Sequence, residues 1–149
     1  MMSKFEIRAA QESEFAQIKN LIHEVGINPS GLDWKRFVVA VNDEGKVISC
    51  GQIKPHSGDI LEVASIGTLP EYERQGLASA IMIELLKTPT RPLYLMCMEH
   101  NGSFYERFGF RSIAEDEMPK YFRRLKKLFK VADVIMHSEI GRASCRERV

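Results

Sequence analysis

The chain has 149 residues, a length that suits one compact domain, and 44% of them are hydrophobic, which is enough for a core. Its formal net charge of +1 argues against nucleic acid or an acidic membrane as the main partner. Three widely spaced cysteines, Cys50, Cys97 and Cys145, favour a reducing, cytoplasmic setting over a disulfide framework. The N-terminus has no apolar h-region, so we do not expect it to be a secretory signal, and no apolar run approaches the roughly 20 residues of a membrane span.

The first part of the chain predicts a strand, a helix and a loop. Residues 5–8 alternate apolar and polar side chains, which is typical of a strand. Ser13 is the predicted N-cap of a helix over residues 14–25, and Gly26 stands where a C-cap glycine belongs. Residues 28–31 are loop-like. The apolar face of the helix comprises Phe15, Ile18, Leu21, Ile22 and Val25.

A predicted hairpin follows, with strands over residues 37–41 and 46–54 joined by a turn at residues 42–45. We expect a loop at residues 55–59, because it contains proline, serine, glycine and aspartate. A further strand is predicted over residues 60–69.

The second half predicts helices between short strands. A helix over residues 76–86 precedes a buried strand at residues 93–98. A short helix at residues 103–108 and a strand at residues 110–113 come next, followed by a basic amphipathic helix over residues 120–130. Strands separated by single helices predict an α/β or α+β domain with a mixed sheet.

The last segment, residues 139–149, reads EIGRASCRERV and resembles the translation of a common short-read sequencing adapter. We therefore expect the domain to occupy residues 1–138 and the tail to be foreign to it. The alternative is a natural polar, arginine-rich tail. The three arginines of the tail outnumber its two glutamates by one, which accounts for the net charge of +1.

The turn between the strand at 60–69 and the helix at 76–86 is the strongest candidate for a ligand site. Backbone N–H groups at a helix N-terminus, together with the positive end of the helix dipole, bind phosphate. Gly76 and Ala78 are small enough for a pyrophosphate to approach the backbone, and Arg74 supplies a cation. Taken alone, a glycine that opens a helix is more often a plain turn.

Residues 73–78, Glu73-Arg74-Gln75-Gly76-Leu77-Ala78, resemble the Q/R-x-x-G-x-G/A motif with which GNAT acetyltransferases hold the coenzyme A pyrophosphate. The glycine and the final small residue match, whereas Glu73 departs from the usual glutamine or arginine. Residues 101–110 resemble the FYxxxGF segment of that family. Residues 51–56 and 61–66 are similar to a bacterial and plastid-like branch of unknown acceptor. The resemblance spans residues 5–113 in the expected order.

The resemblance implies a GNAT fold, with a mixed central sheet flanked by helices. It also implies acetyl-CoA as co-substrate, no metal, and acetyl transfer to a primary amine by direct attack on the thioester. The acceptor could be a small molecule or a protein amine, and the chain a monomer or a homodimer. The implied coenzyme-binding residues are Ile66, Gly67, Thr68, Arg74, Gln75, Gly76, Leu77, Ala78, Ser79 and Asn101.

Acetyl transfer needs a base for the amine and a proton for the leaving thiolate. Glu62 is the candidate base, and its alternative role is a solvated or cross-strand carboxylate. Tyr105 matches the family's tyrosine and is the candidate proton donor, whereas it could instead be a half-buried aromatic of a short helix. Backbone N–H groups at residues 66–68 would polarise the thioester carbonyl.

Other polar residues near the implied site have less specific roles. In the family, the strand matching residues 60–69 diverges from the strand at 93–98, and the pantetheine arm lies in the gap. Cys97 falls there, and we expect it to pack rather than to act as a nucleophile. His56 and His100 are candidates for lining the acceptor pocket, since further ligands at metal-binding spacing are missing from the sequence.

Two alternatives to an enzyme remain open. The domain could bind acyl-CoA without turnover, as a sensor or interaction module, or the basic helix at 120–130 could make it an adaptor. That helix could suggest membrane-surface or nucleic-acid binding, but we expect it to pack Phe122, Leu125 and Phe129 on the body of the domain.

The family places a final strand after the FYxxxGF segment, whereas this chain continues into the basic helix and then the tail. We therefore expect the last strand to be missing, the native protein to continue past Ser138, and a sheet edge to be left unpaired.

Overall fold

The computed structural model describes residues 4–88, 92–129 and 134–138. The described strands are β1 (Phe5–Ala9), β2 (Phe37–Asn42), β3 (Val47–His56), β4 (Ile60–Thr68), β5 (Leu93–Cys97), β6 (Arg111–Ser112) and β7 (Val134–Ser138). The described helices are α1 (Phe15–Val25), α2 (Leu77–Leu85), α3 (Gly102–Glu106) and α4 (Lys120–Phe129). Within this part of the chain, no helix is both long and apolar enough to cross a membrane.

The strands form a seven-stranded sheet in the order β1-β2-β3-β4-β5-β7-β6. β4 and β5 pair in parallel, while β1 with β2, β2 with β3, β5 with β7 and β6 with β7 pair antiparallel. The predicted mixed sheet flanked by helices is therefore confirmed.

The chain divides into two compact units. The first comprises Met1–Lys54 and Ala64–Lys87, and the second comprises Pro55–Val63 and Thr88–Val149. The first unit thus holds β1, β2, α1 and α2 with most of β3 and the end of β4. The second holds the start of β4 with β5, β6, β7, α3 and α4.

In the first unit, two glycines let helices lie close to the sheet. A Cβ on Gly51 would collide with Ile66 and would lie 2.8 Å from Cγ2 of Ile81 in α2. A Cβ on Gly67 would lie 2.8 Å from Cδ1 of Ile27, just after α1. Side chains larger than hydrogen at these positions would push the helices away from β3 and β4.

The start of α1 differs from the prediction that Ser13 is its N-cap. A 3₁₀ turn at Glu12–Glu14 precedes the helix, and Glu14 is the N-cap residue. The Glu14 carboxylate is buried, accepts the Gln11 N–H at 2.8 Å, and accepts two N–H groups of Arg8 at 2.9 and 2.7 Å. The Ser13 assignment is wrong because this ion pair with β1 holds the first turn. Gly26 is left-handed at φ 76°, as a C-cap glycine should be.

The predicted loop at residues 55–59 is shorter than expected, since Pro55 and His56 belong to β3. Pro55 is exposed, as expected of a proline within a strand. This extension places His56 in the sheet.

In the second unit, α4 contributes to the core. Phe122 is fully buried and packs with Ile113, Met118 and Ile135, and Tyr121 lies against this cluster. The expected packing of Phe122 is confirmed. Leu125 is half-buried, and the side chain of Phe129 lies outside the described residues.

The expectation that the last strand is missing is wrong. β7 pairs with the whole of β5, from Leu93 opposite Ser138 to Cys97 opposite Val134, and its other edge pairs with β6. Ile135 and Met136 are fully buried. α4 lies between β6 and β7 in sequence, and the strand returns to the sheet only after it. The argument for truncation that rested on an unpaired edge therefore fails, and the tail at 139–149 lies outside the described residues.

We expect Glu14→Gln to lower the free energy of unfolding by about 1–3 kcal/mol at pH 7, because the Arg8 guanidinium loses its buried carboxylate. The hydrogen bond from Arg8 holds the pKa of Glu14 below its ordinary value of 4.5. The contribution of the ion pair is therefore present above pH 4.5 and is lost as the pH falls through the lowered value.

Urea unfolding of both proteins from neutral pH to pH 3 measures this difference, which should shrink on the acid side. The exposed Glu12→Gln on the same turn is the matched control and should change stability by less than about 0.5 kcal/mol. Equal losses for the two variants, or a difference independent of pH, would contradict the prediction.

Candidate functional site

The turn that precedes α2, in the first unit, has an unusual backbone. Arg74 has φ 65° and Gly76, the N-cap of α2, has φ 79°, so both are left-handed. Glycine adopts this conformation without steric cost, whereas a residue with a side chain does not. Backbone strain of the kind seen at Arg74 is concentrated at ligand-binding turns. Both residues are exposed.

The N-terminus of α2 presents backbone donors. The first helical bond joins the Ala80 N–H to the Gly76 carbonyl at 3.0 Å, so the N–H groups of Gly76, Leu77 and Ala78 have no acceptor within the helix. A Cβ built on Gly76 would meet nothing within 4 Å, so the space in front of the turn is open. Such a turn is suited to an anion. The structure brings together the predicted phosphate-binding residues Arg74, Gln75, Gly76, Leu77 and Ala78, with Ser79 in the first turn of the helix.

The end of β4, also in the first unit, has a local irregularity at Ser65, which has φ 59°. The Ser49 hydroxyl donates to the Gly67 carbonyl at 2.9 Å and lies 2.9 Å from the Thr68 hydroxyl. Gly67 and Thr68 are therefore held by the Ser49 side chain of β3, and Ile66 precedes them in β4. These are the residues predicted to contact a thioester.

In the second unit, Glu62 and His56 form a buried pair. Glu62 is 7% exposed, and its Oε1 lies 2.8 Å from Nε2 of His56. The imidazole stacks on the Tyr121 ring, with centroids 3.9 Å apart and planes at 25°. Burial and the nearby Glu62 charge raise the pKa of Tyr121, so its hydroxyl stays protonated.

The Glu62–His56 pair has the chemistry of a base with an orienting group. When Nε2 carries the proton that Glu62 accepts, Nδ1 holds a lone pair and can take a proton from a substrate. The carboxylate then stabilises the imidazolium that forms. The sequence indicated Glu62 as a lone base and His56 as a pocket residue. The pairing was missed because residue 56 was predicted to lie in a loop.

Tyr105 lies in α3, with its ring edge-on to Phe110 at 6.4 Å. Burial raises the pKa of Tyr105 to about 12, and the nearby Cys97 thiol shifts it in the same direction. A thiol has an ordinary pKa of about 8.5, so full proton transfer from this tyrosine to a thiolate would be uphill by about 4–5 kcal/mol. Tyr105 is better suited to donating a hydrogen bond to sulfur than to giving up its proton.

The remaining predicted residues of the second unit lie near the end of β5. Cys97 is buried, and its Sγ lies 3.8 Å from Sδ of Met136 in β7, which agrees with a packing role. His100 and Asn101 are exposed on the 3₁₀ turn Glu99–Asn101, where Asn101 is the N-cap of α3. Among the described residues, no group of three or more potential metal ligands is placed to hold an ion.

A cavity of about 350 Å³ lies elsewhere in the second unit, between α4 and the segment after β6. It contains none of the predicted site residues, and its lining consists of Ile113, Ala114, Glu115, Met118, Arg123, Lys126 and Lys127. The acid–base candidates, which are the Glu62–His56 pair and Tyr105, lie elsewhere in the second unit.

Residues 33–112 match the family model described as acetyltransferase (GNAT) domain. N-acetylglutamate synthase from Neisseria gonorrhoeae, solved with coenzyme A and N-acetyl-glutamate, superposes with a TM-score of 0.75 at 18% identity, covering 93% of this chain and 35% of that one. The chain thus spans about a third of the length of that synthase. No match was found among curated protein sequences.

Smaller solved structures are similar over their whole length. Rv2747 from Mycobacterium tuberculosis, in complex with CoA and NLQ, has a TM-score of 0.76 at 21% identity, covering 89% of this chain and 98% of that one. Escherichia coli ElaA has a TM-score of 0.67 at 15% identity, covering 93% of this chain and 100% of that one. At these identities the similarity establishes the fold.

Proposed function

Since the chain belongs to the GNAT acetyltransferase family, we propose that it is an acetyl-CoA-dependent N-acetyltransferase that acts on a primary amine. The observation that carries the proposal is the open turn before α2, where left-handed Arg74 and Gly76 present backbone N–H groups at a helix N-terminus. Solved neighbours that contain coenzyme A support the choice of cofactor.

The coenzyme A pyrophosphate would accept hydrogen bonds from the N–H groups of Gly76, Leu77 and Ala78, with Arg74 as a nearby cation. Glu73 is exposed beside them, and its carboxylate opposes phosphate binding. Arg74 offsets that charge. Backbone donors therefore carry most of the binding in this proposal.

In the reaction, the amine attacks in its neutral form, His56 takes through Nδ1 the proton that the nitrogen loses as it bonds to carbon, and Glu62 stabilises the imidazolium. The amine nitrogen bonds to the thioester carbonyl carbon, and backbone N–H groups at residues 66–68 stabilise the oxyanion. The carbon–sulfur bond then breaks with the electron pair on sulfur. Tyr105 donates a hydrogen bond to the thiolate, which takes its proton from solvent.

A non-catalytic acyl-CoA-binding module is the alternative. The Glu62–His56 pair favours the enzyme, because a binding module has no use for a buried carboxylate that orients a base. The deciding experiment is an assay of coenzyme A release across a panel of amines, with mass spectrometry of the products. If acetyl-CoA binds tightly but no amine in the panel causes coenzyme A release, the non-catalytic module is the better description.

We expect Gly76→Glu to weaken coenzyme A binding by about a hundredfold or more, since a like charge about 4 Å from a phosphate costs on the order of 4 kcal/mol at an effective dielectric near 20. Isothermal titration calorimetry measures the affinity. Gly45→Glu is the matched control, because Gly45 also has positive φ, at 80°, and open space around its Cβ. Unchanged affinity in Gly76→Glu, or equal losses in both variants, would refute the assignment.

We expect His56→Gln to lower kcat by about 10²–10⁴-fold, since the base is gone. Glu62→Gln should cause a smaller loss, because the base remains but its imidazolium is less stable. The exposed His100→Gln is the control and should retain wild-type turnover. A His56→Gln enzyme with full kcat would exclude this base.

We expect Tyr105→Phe to lower kcat by about tenfold or more with little change in coenzyme A affinity, because the ring is kept and one hydrogen bond to developing charge is lost. Because burial raises the pKa of Tyr105 to about 12, its ionisation should not reduce the wild-type rate below pH 10. Tyr72→Phe, whose hydroxyl lies 3.3 Å from the Asn42 amide, serves as the control. An equal kcat in wild type and Tyr105→Phe would remove Tyr105 from the mechanism.

A further inference from the structure

Gln52 and Lys54 are two polar residues of β3 buried within the first unit. Gln52 is 0% exposed and Lys54 is 8% exposed. Gln52 Nε2 donates to the Gly31 carbonyl at 3.3 Å, and Lys54 Nζ donates to the neighbouring Ser30 carbonyl at 3.1 Å. Alternate residues of a strand face the same side, and these two side chains converge on one loop.

The orientation of the Gln52 amide is fixed by its donors. Nε2 also donates to the Ser65 hydroxyl at 2.9 Å, so both of its hydrogens are used. The opposite atom, Oε1, is buried and has no hydrogen-bond partner in the described part of the chain. A buried acceptor without a donor is unfavourable, so Oε1 is suited to accept an N–H from a ligand.

Lys54, the second polar residue of the cluster, has no negatively charged partner in the described part of the chain. Its ammonium has the Ser30 carbonyl as a neutral partner, and no carboxylate among residues 4–88, 92–129 and 134–138 forms an ion pair with it. Buried charges in proteins are normally paired with an opposite charge or with several hydrogen bonds. In the described part of the chain, the cluster of Gln52, Lys54 and Ser65 therefore has an ammonium without an anion and an amide oxygen without a donor.

We propose that this cluster binds the acceptor through its carboxylate, so that the acceptor is an amino acid. The Lys54 ammonium pairs with the ligand carboxylate, and Gln52 Oε1 accepts an N–H from the same ligand. An amino acid carries both groups in one small molecule, whereas a polyamine carries no anion. This inference rests on the proposed acetyl transfer to an amine and adds the class of acceptor.

Lys54 could have a purely structural role, which would be to hold the loop through Ser30. If Lys54 only holds the loop, replacing it would lower the stability of the protein and would lower kcat/KM for all acceptors to the same extent. A carboxylate-binding role affects only acceptors that carry the charge. The two roles are therefore separated by comparing each amino acid with its carboxamide, which has nearly the same shape and no negative charge.

The experiment measures kcat/KM for the twenty amino acids and their carboxamides with wild type, Lys54→Met and Lys54→Arg. We expect wild type to prefer at least one amino acid over its amide by tenfold or more. Lys54→Met should abolish that preference by raising KM, and Lys54→Arg should restore part of it. The exposed Lys46→Met is the matched control and should keep the wild-type ratio. A short peptide and its C-terminal amide are also compared. This pair tests whether the protein accepts only free amino acids or also the ends of peptides.

Binding supplies a readout that does not depend on turnover. Calorimetry with protein saturated by coenzyme A should show at least tenfold weaker binding of the preferred amino acid to Lys54→Met, with coenzyme A affinity unchanged. Equal use or binding of acids and amides by wild type, or equal losses for both in Lys54→Met, would overturn the inference. Binding of the acid without acetylation would instead refute the proposed function and leave this site intact.

Discussion

The close approach of helices to the sheet at two glycines is the constraint on which the first unit depends. Without a Cβ at Gly51, the side chains of Ile66 and Ile81 fill the space over β3, and α2 lies directly on the strand. The position of α2 sets where its N-terminus opens, and with it the turn containing Arg74 and Gly76. Gly67 permits the same approach by the end of α1. The geometry of the candidate anion-binding turn therefore depends on packing in the core beneath it.

The second unit contains a buried carboxylate, that of Glu62, which is 7% exposed. Among the described residues, Glu62 has His56 as its hydrogen-bond partner, and the His56 ring stacks on Tyr121. A buried carboxylate needs such a partner, since its charge loses the solvation of water. The same arrangement that makes the carboxylate tolerable gives the imidazole a fixed orientation and tautomer.

Local patterns predicted much of the fold and part of the site. Strand alternation, helical spacing and the glycines at the ends of α1 and at the start of α2 were visible in the sequence, and they place the turn at residues 74–78 correctly. Ser13 was predicted as the N-cap from its residue type and position. The prediction failed because Glu14 pairs with Arg8 on β1, a contact that no local pattern reveals. The expectation of a missing strand failed for a related reason: β7 is separated from β6 by α4, and its pairing is non-local.

The chemistry of the site was less predictable than its location. His56 was assigned to a loop because Pro55 is usually read as the end of a strand, and the Glu62 contact was lost with it. The acidity of Tyr105 depends on burial, which the FYxxxGF pattern does not encode. The sequence did not indicate the Gln52 and Lys54 cluster. It is recognised by a buried acceptor without a donor and a buried ammonium without a carboxylate among the described residues, which only the structure reveals.

The position of β7 also sets the order in which the strands can pair while the chain is being synthesised on the ribosome. β5 and β6 are both paired with β7 in the described sheet, so neither can complete its ladder until residues 134–138 have left the exit tunnel. The first unit draws only on residues up to Lys87, which leave the ribosome earlier. The nascent chain should therefore carry a folded first unit while β5, with its apolar Leu93 and Leu95, still awaits cover. We therefore expect aggregation to be favoured in that interval more than in the finished protein.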